Sequence, residues 1–414
     1  AAVGATTREV RAVKSARLGP RFRRLWSAST LSQFGGGVHG SAVPLLAASL
    51  STSPAQVAAV AVAGELPWLV FGLPAGAVVD RVDPRRLLAF VSTVNAVGVA
   101  GLVAVVALDR ASLSLVAALA FACGTCGTLG STAVTTLTPR VVEREQLDRA
   151  NSRLVTAGSA GAELIGPPLA GSLFGLAAAL PFAVNATTTA VSAALVLSLP
   201  SAFGVHPRPV GQERRPIWRD ITDGARWLAR HPQLRALTML SVVFILTDNA
   251  WFALMILYVR QILHLPASAY GLLVGIGAVG GLVGGLAAAW LIRAVGSVGV
   301  VLASLLAAAA IAQAVLGLTA QAVVTAAALS VSSFAFGVWN VVTVTQRQRL
   351  TPPDLLGRVA SADQTAILSA SPIGALLGGL AATALGLRAP FLLGLPLLVV
   401  GAAYGYLTAH AEAP

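Results

Sequence analysis

Lysine is almost missing from this chain: among 28 basic residues, Lys14 is the one lysine and the rest are arginine. A phosphate-binding loop of the Gly-x-x-x-x-Gly-Lys-Ser/Thr type needs a lysine, so ATP-driven work within the chain is excluded. Charge is scarce too. Charged residues make up 11% and aromatics 6%, against 56% hydrophobic residues and a mean hydropathy of +0.80. A water-soluble globule of 414 residues cannot hide that much apolar surface, which makes this an all-α integral membrane protein with the lipid bilayer as its first partner. Only two cysteines occur, Cys123 and Cys126, three residues apart and with no histidine or third cysteine beside them. They read as small packing residues rather than as metal ligands or a redox pair. No HExxH motif and no nucleophile, base and orienting group occur together, so neither catalysis nor a cofactor or metal is expected. The formal net charge of +12 invites a nucleic-acid reading. The basic residues do not gather on one face or in one tail, and no nucleic-acid partner is expected.

About 20 apolar residues cross the bilayer core. Cutting at polar and Pro/Gly breaks gives spans near 27–49, 55–79, 85–107, 113–138, 152–175, 179–200, 236–260, 268–292, 297–318, 321–346, 358–384 and 388–408, twelve in all. The first apolar run is too long for a signal peptide and is read as an uncleaved span. Residues 1–26 form a basic leading segment, 27–200 a first six-helix bundle, 201–235 a linker, 236–408 a second bundle and 409–414 a tail. Of the basic residues, 25 fall at the N-terminus or in loops after even-numbered spans, and only Arg110, Arg260 and Arg388 fall on the other side. By the positive-inside rule both termini are cytoplasmic, in a cell inner membrane. In the linker, Trp218, Ile221, Ala225 and Leu228 make one apolar stripe among arginines, the pattern of a helix lying on the inner membrane surface. The halves echo each other. Gly72-Leu-x-x-Gly76 returns as Gly281-Leu-x-x-Gly285, and Thr138-Pro139 returns as Thr351-Pro352. Two six-helix halves of the same sense are the parallel repeat of facilitator-type transporters.

The most informative stretch is Gly72 to Arg86, GLPAGAVVDRVDPRR. An apolar helix ends there, and Asp83-Pro84 reads as the N-cap and first-turn proline of the next. The spacing Gly76, Asp80, Arg81, Arg85, Arg86 resembles the loop 2–3 signature of the major facilitator superfamily (MFS), G-x-x-x-D-R-x-x-x-R-R. Phe22 to Trp26, the loop Pro139 to Asn151 (PRVVEREQLDRAN) and Pro353 to Val359 (PDLLGRV) look like its bacterial drug-exporting branch, which includes macrolide-efflux and siderophore-exporting members. Gly166-Pro167-x-x-x-Gly171 is similar to a motif associated with exporters. The resemblance implies twelve transmembrane helices in two pseudo-symmetric bundles, working as a monomer. It also implies a gate in which Asp80 faces the start of span 11 near Leu356 to Arg358, with Arg81 and Arg85 adding charge-assisted bonds. The chain departs from the pattern in having Gly35-Gly36 where an acid is usual in span 1, and in lacking a buried arginine in span 4.

Polar groups at mid-membrane depth are costly and point to function. At 1.5 Å per residue, His39, Glu163 and Asp248 lie roughly 16–18 Å from the cytoplasmic ends of their spans, and Glu65 roughly 22 Å up. These four are the candidates for proton coupling and for binding substrate charge. Glu163 comes first, one turn before Gly166-Pro167, where proline frees a carbonyl and lets the helix flex. Asp363, near the start of span 11, is expected to serve as a helix-dipole partner. Gln33, Phe34, Phe71, Asn249, Trp251, Phe252, Gln313, Phe336, Trp339 and Asn340 are candidates for the wall of an apolar, amide-dotted cavity suited to a bulky amphiphile. The sequence therefore reads as an exporter of amphiphilic drugs or a secondary metabolite, exchanging them for protons by alternating access. The rival is a transport-inactive membrane sensor or lipid-handling protein on the same fold, which fold alone does not separate.

Overall fold

The computed structural model describes residues 18–79, 81–200, 217–352 and 355–411. Asp80, Pro353, the leading basic stretch as far as Arg17, and the side chains at Gly76, Trp218 and Ile221 lie outside the described residues. The rest forms twelve rods and one linker helix. Span 1 is Pro20–Leu50, span 2 Pro54–Val79, span 3 Pro84–Ala107 and span 4 Leu113–Val141. Span 5 runs in three pieces, Leu147–Ser159, a π-turn at Ala160–Ile165, and Gly166–Leu176; span 6 is Leu180–Leu197. After the linker helix Ile217–Arg230 come span 7 (Pro232–Phe252 with Met255–Gln261), span 8 (Ala267–Val295), span 9 (Val298–Leu318) and span 10 (Ala322–Leu350). Span 11 (Leu356–Leu385) and span 12 (Ala389–Leu393 with Leu395–Ala411) complete the set. Ten of these rods are long and apolar enough to cross a membrane; the other two are span 1, with three arginines in its first turns, and the interrupted span 5.

Local chemistry sets the helix ends. Asp83 Oδ1 accepts the Arg85 N–H at 2.9 Å with Pro84 at the first helical position, as the sequence predicts. Gly296, at φ 74°, closes span 8 in the left-handed conformation that glycine adopts without strain. Span 1 starts seven residues before its sequence-based bound, because Pro20 initiates the helix and Arg24 reaches out to donate to the Ser198 carbonyl at 2.7 Å. Span 7 breaks at Ala253 and Leu254. Beyond the break Tyr258 is fully buried, and its hydroxyl donates to the Leu316 carbonyl (2.8 Å) and the Thr319 carbonyl (3.0 Å), which caps span 9.

Pairing follows the internal repeat. Span 2 packs on 4, 3 on 4 and 6, and 1 on 5 and 6; likewise span 8 packs on 10, 9 on 10 and 12, and 7 on 11. The halves meet along spans 2 and 11 and along spans 5 and 8. At the end opposite the basic loops a single apolar core draws on both halves, from Val38, Val57 and Phe182 to Leu257, Tyr270 and Phe391. At the basic end each half keeps its own core, around Leu25, Leu88 and Leu137 in one and around Phe244, Leu306 and Trp339 in the other. The far end is therefore sealed and the basic end parted.

Small residues make the half-to-half seams possible. A Cβ on Gly271 would sit 2.1 Å from the Pro167 carbonyl oxygen, and one on Gly171 would sit 2.9 Å from that of Ser268. Such backbone approach supplies the van der Waals contact that drives helix association in lipid. Gly72 does not do this. Nothing lies within 4 Å of its virtual Cβ, so no neighbouring helix approaches closely at that position. Gly271→Leu is expected to cost about 1–3 kcal/mol by overpacking the seam, read as a lower thermal midpoint in detergent; Gly285→Ala, whose Cβ meets nothing within 4 Å, should leave the midpoint unchanged or raise it.

Candidate functional site

The site is built where span 5 crosses span 1. Pro167 and Pro168 have no N–H to give to the carbonyls of Glu163 and Leu164, so the α-helical ladder cannot continue. The helix widens into a π-turn over Ala160–Ile165, in which the Gly166 N–H bonds the Gly161 carbonyl five residues back. Such turns gather at functional sites. Gly37 fits against this turn: its Cβ would lie 2.4 Å from the Ala162 carbonyl oxygen, while that of Gly166 would meet the Gly37 carbonyl carbon at 2.8 Å. The turn exposes Glu163, whose Oε1 accepts a long bond from Ser159 Oγ, at 3.4 Å.

Between the halves lies a cavity of about 670 Å³. Glu163, Asp248, Glu65 and His39 all line it. They come from spans 5, 7, 2 and 1, so both halves contribute. No lysine or arginine stands among its lining residues. His39 packs edge-on to Phe182 with ring centroids 5.5 Å apart, and its Nδ1 has no hydrogen-bond partner among the described residues. Asn249 is held by its own helix, Nδ2 donating to the Ile245 carbonyl at 3.0 Å, and by Ser371 of span 11, whose Oγ donates to Oδ1 at 3.0 Å. A second chamber of about 360 Å³ lies between spans 2 and 11 and shares Trp68 with the central cavity.

Of the ten proposed wall residues, Asn249, Trp251, Phe252 and Phe336 line the cavity. The other six lie elsewhere. Gln33 bonds Ser29 (3.1 Å) and lies against Gly158, while Phe34 packs on Gly161 at the back of the π-turn. Phe71 meets Phe121 edge-on at 6.2 Å. Gln313 is fully buried beside Thr247 and Gly394, Trp339 donates its indole N–H to Ser241 Oγ at 3.0 Å, and Asn340 is exposed on span 10. Asn95, Asn185, Trp68 and Tyr270 line the cavity and were not singled out from the sequence. Asn95 and Asn185 carried the available signal, an amide well inside an apolar span. Cys123 also lines the cavity; both thiols are free.

The basic end holds a different set of charges. Arg85 donates to the carbonyls of Val196 (3.3 Å) and Leu197, the negative end of span 6 in its own half. The expected bond from Arg85 to span 11 is thus not formed in this open arrangement. Arg81 and Arg86 are exposed, and Arg86 reaches Asp83 at 3.9 Å. Arg358 is half-buried, and its carbonyl is where the linker helix docks: a Cβ on Gly224 would come within 2.3 Å of it. Asp363 is not a helix-dipole residue. Its carboxylate, 1% exposed, pairs with Arg347 from the end of span 10 and accepts the Thr238 hydroxyl of span 7 at 2.6 Å. The side chain points across to spans 7 and 10 rather than along its own helix axis.

Twelve rods in two like halves around a mid-depth cavity define a membrane transporter of the MFS fold. Residues 18–413 match the transmembrane secretion effector family of that superfamily, and the chain belongs to it. No curated protein matches it by sequence. Among solved structures it is similar to a mutant of the nucleoside transporter NupG, with a TM-score of 0.73 at 13% identity over 94% of this chain and 99% of that one. It is also similar to a bacterial homologue of the iron transporter ferroportin in an inward-facing state (0.68, 21%, 94% and 99%). A bacterial homologue of the human lysosomal transporter Spinster, inward-facing and unoccupied, gives 0.69 at 14% identity over 94% and 97%. At these identities the likeness is one of fold.

Removing one partner of a buried ion pair strands the other charge. Asp363→Asn should lower stability by about 3–5 kcal/mol, measured by chemical unfolding in detergent, and the double replacement Arg347→Met with Asp363→Leu should recover most of that loss.

Proposed function

We propose that this transporter exports amphiphilic small molecules, drugs or a secondary metabolite, from a bacterial cell by alternating access and in exchange for protons. The observation that carries the reading is that four titratable side chains, chosen from the sequence for their depth alone, line one cavity to which both halves contribute. An apolar cavity of this size with a few convergent polar groups suits a bulky ligand. The count of basic residues puts the parted end in the cytoplasm, so substrate enters from there and leaves after the sealed end opens. Both termini are then cytoplasmic, and the protein works as a monomer in the inner membrane.

Coupling falls to the carboxylates, since no arginine is found among the described residues that line the cavity. Glu163 sits on the π-turn that joins the two α-helical pieces of span 5, so a proton gained or lost there acts directly on that joint. Asp248 faces the same cavity from the other half. A proton and a substrate that draw on the same carboxylates exclude one another, which gives exchange without a separate relay. Asp80, at the end of span 2, serves the gate against span 11 when the cytoplasmic side closes.

In proteoliposomes, substrate-induced proton release should disappear in Glu163→Gln or Asp248→Asn even at substrate concentrations that saturate the variant, so that substrate binding is retained. Full coupled transport in both variants would exclude them and leave Glu65 and His39. Asp80→Asn should abolish gradient-driven release of a dye or antibiotic from cells. If that mutant releases normally, or deletion has no phenotype across a broad drug panel, the sensor or lipid-handling reading takes over.

A further inference from the structure

The cavity wall contains an acid and an aromatic at helical spacing in each half. Glu65 and Trp68 stand at i and i+3 on span 2; Asp248 and Phe252 stand at i and i+4 on span 7. Residues at those spacings project side by side. The two aromatics are partly uncovered, Trp68 at 36% and Phe252 at 40%, and Phe336 of span 10 adds a third at 39%. Uncovered aromatic rings beside carboxylates, with no arginine or lysine among the lining residues, are complementary to positive charge on an apolar body.

We infer that the ligand is an organic cation, an ammonium-type or other delocalised positive charge carried on an apolar body, held between the Glu65/Trp68 pair of one half and the Asp248/Phe252 pair of the other. This names the substrate class of the exporter proposed above and rests on that reading. Trp68 also walls the chamber between spans 2 and 11, together with Leu69, Gly72 and Gln364. A ligand touching both pairs is bound by both halves at once, which is how its presence bears on their relative position.

Tetraphenylphosphonium and tetraphenylborate share shape and differ in the sign of charge. Titrated by intrinsic tryptophan fluorescence into the full chain in detergent micelles, the phosphonium should bind and the borate should not. Glu65→Gln, Asp248→Asn and Trp68→Leu should each weaken the phosphonium about ten-fold, and Trp68→Phe, which keeps an aromatic face, less. Equal binding of both ions, no binding of the phosphonium, or unchanged binding in all of the first three variants would overturn the assignment. The two readings fail separately. Gradient-driven transport of a neutral or anionic amphiphile without phosphonium binding removes the cation site and keeps the exporter; phosphonium binding with the expected pattern, but no transport of any amphiphile under any gradient, keeps the site and removes the exporter.

Discussion

Backbone-to-backbone contact through glycine is the constraint on which this architecture depends. Helices in lipid gain nothing from hiding apolar side chains from one another, so they associate where main chains come close enough for dispersion to add up. The chain has 41 glycines, and the ones that matter most lie on crossings. Gly37 and Gly166 let span 1 meet the π-turn, Gly171 and Gly271 join the halves along spans 5 and 8, and Gly378 would place a Cβ 1.8 Å from the Ala250 carbonyl where span 11 crosses span 7. These contacts set where Glu163, Asp248 and His39 stand in this arrangement, since each is carried on a helix in backbone contact with a neighbour.

Much of the fold was legible in the sequence, because a bilayer imposes a length and an apolarity on every span, and twelve runs stood out between polar and Pro/Gly breaks. The four cavity-facing titratable groups were legible for a related reason: a charge is expensive in lipid, so its depth alone points inward. Which face a helix turns inward was not legible. In a soluble helix polar and apolar faces contrast, but here lipid-facing and protein-facing sides are both apolar, and periodicity carries little information. That is why Phe71, Gln313 and Trp339, at suitable depth, lie away from the cavity, while Trp68 and Tyr270 line it.

Side-chain pairing was the other blind spot. The carboxylate of Asp363 is neutralised by Arg347 and steadied by Thr238, partners 16 and 125 residues away in sequence, so position within span 11 gave no clue to them. Arg85 belongs to a loop signature yet spends its guanidinium on the end of span 6. Both cases bind spans within one half. The electrostatics of the basic end consolidate each bundle as a body, whereas the apolar core at the far end belongs to the two bundles jointly.

That division of the core has an energetic consequence. Opening the far end wets apolar side chains such as Val38, Val57 and Leu257, which are buried in a core that both halves build. Closing the basic end requires no loss of this kind, because Leu88 and Phe244 are already enclosed within separate bundles. Any movement that opens the far end therefore has to bring the free energy that offsets wetting this shared core.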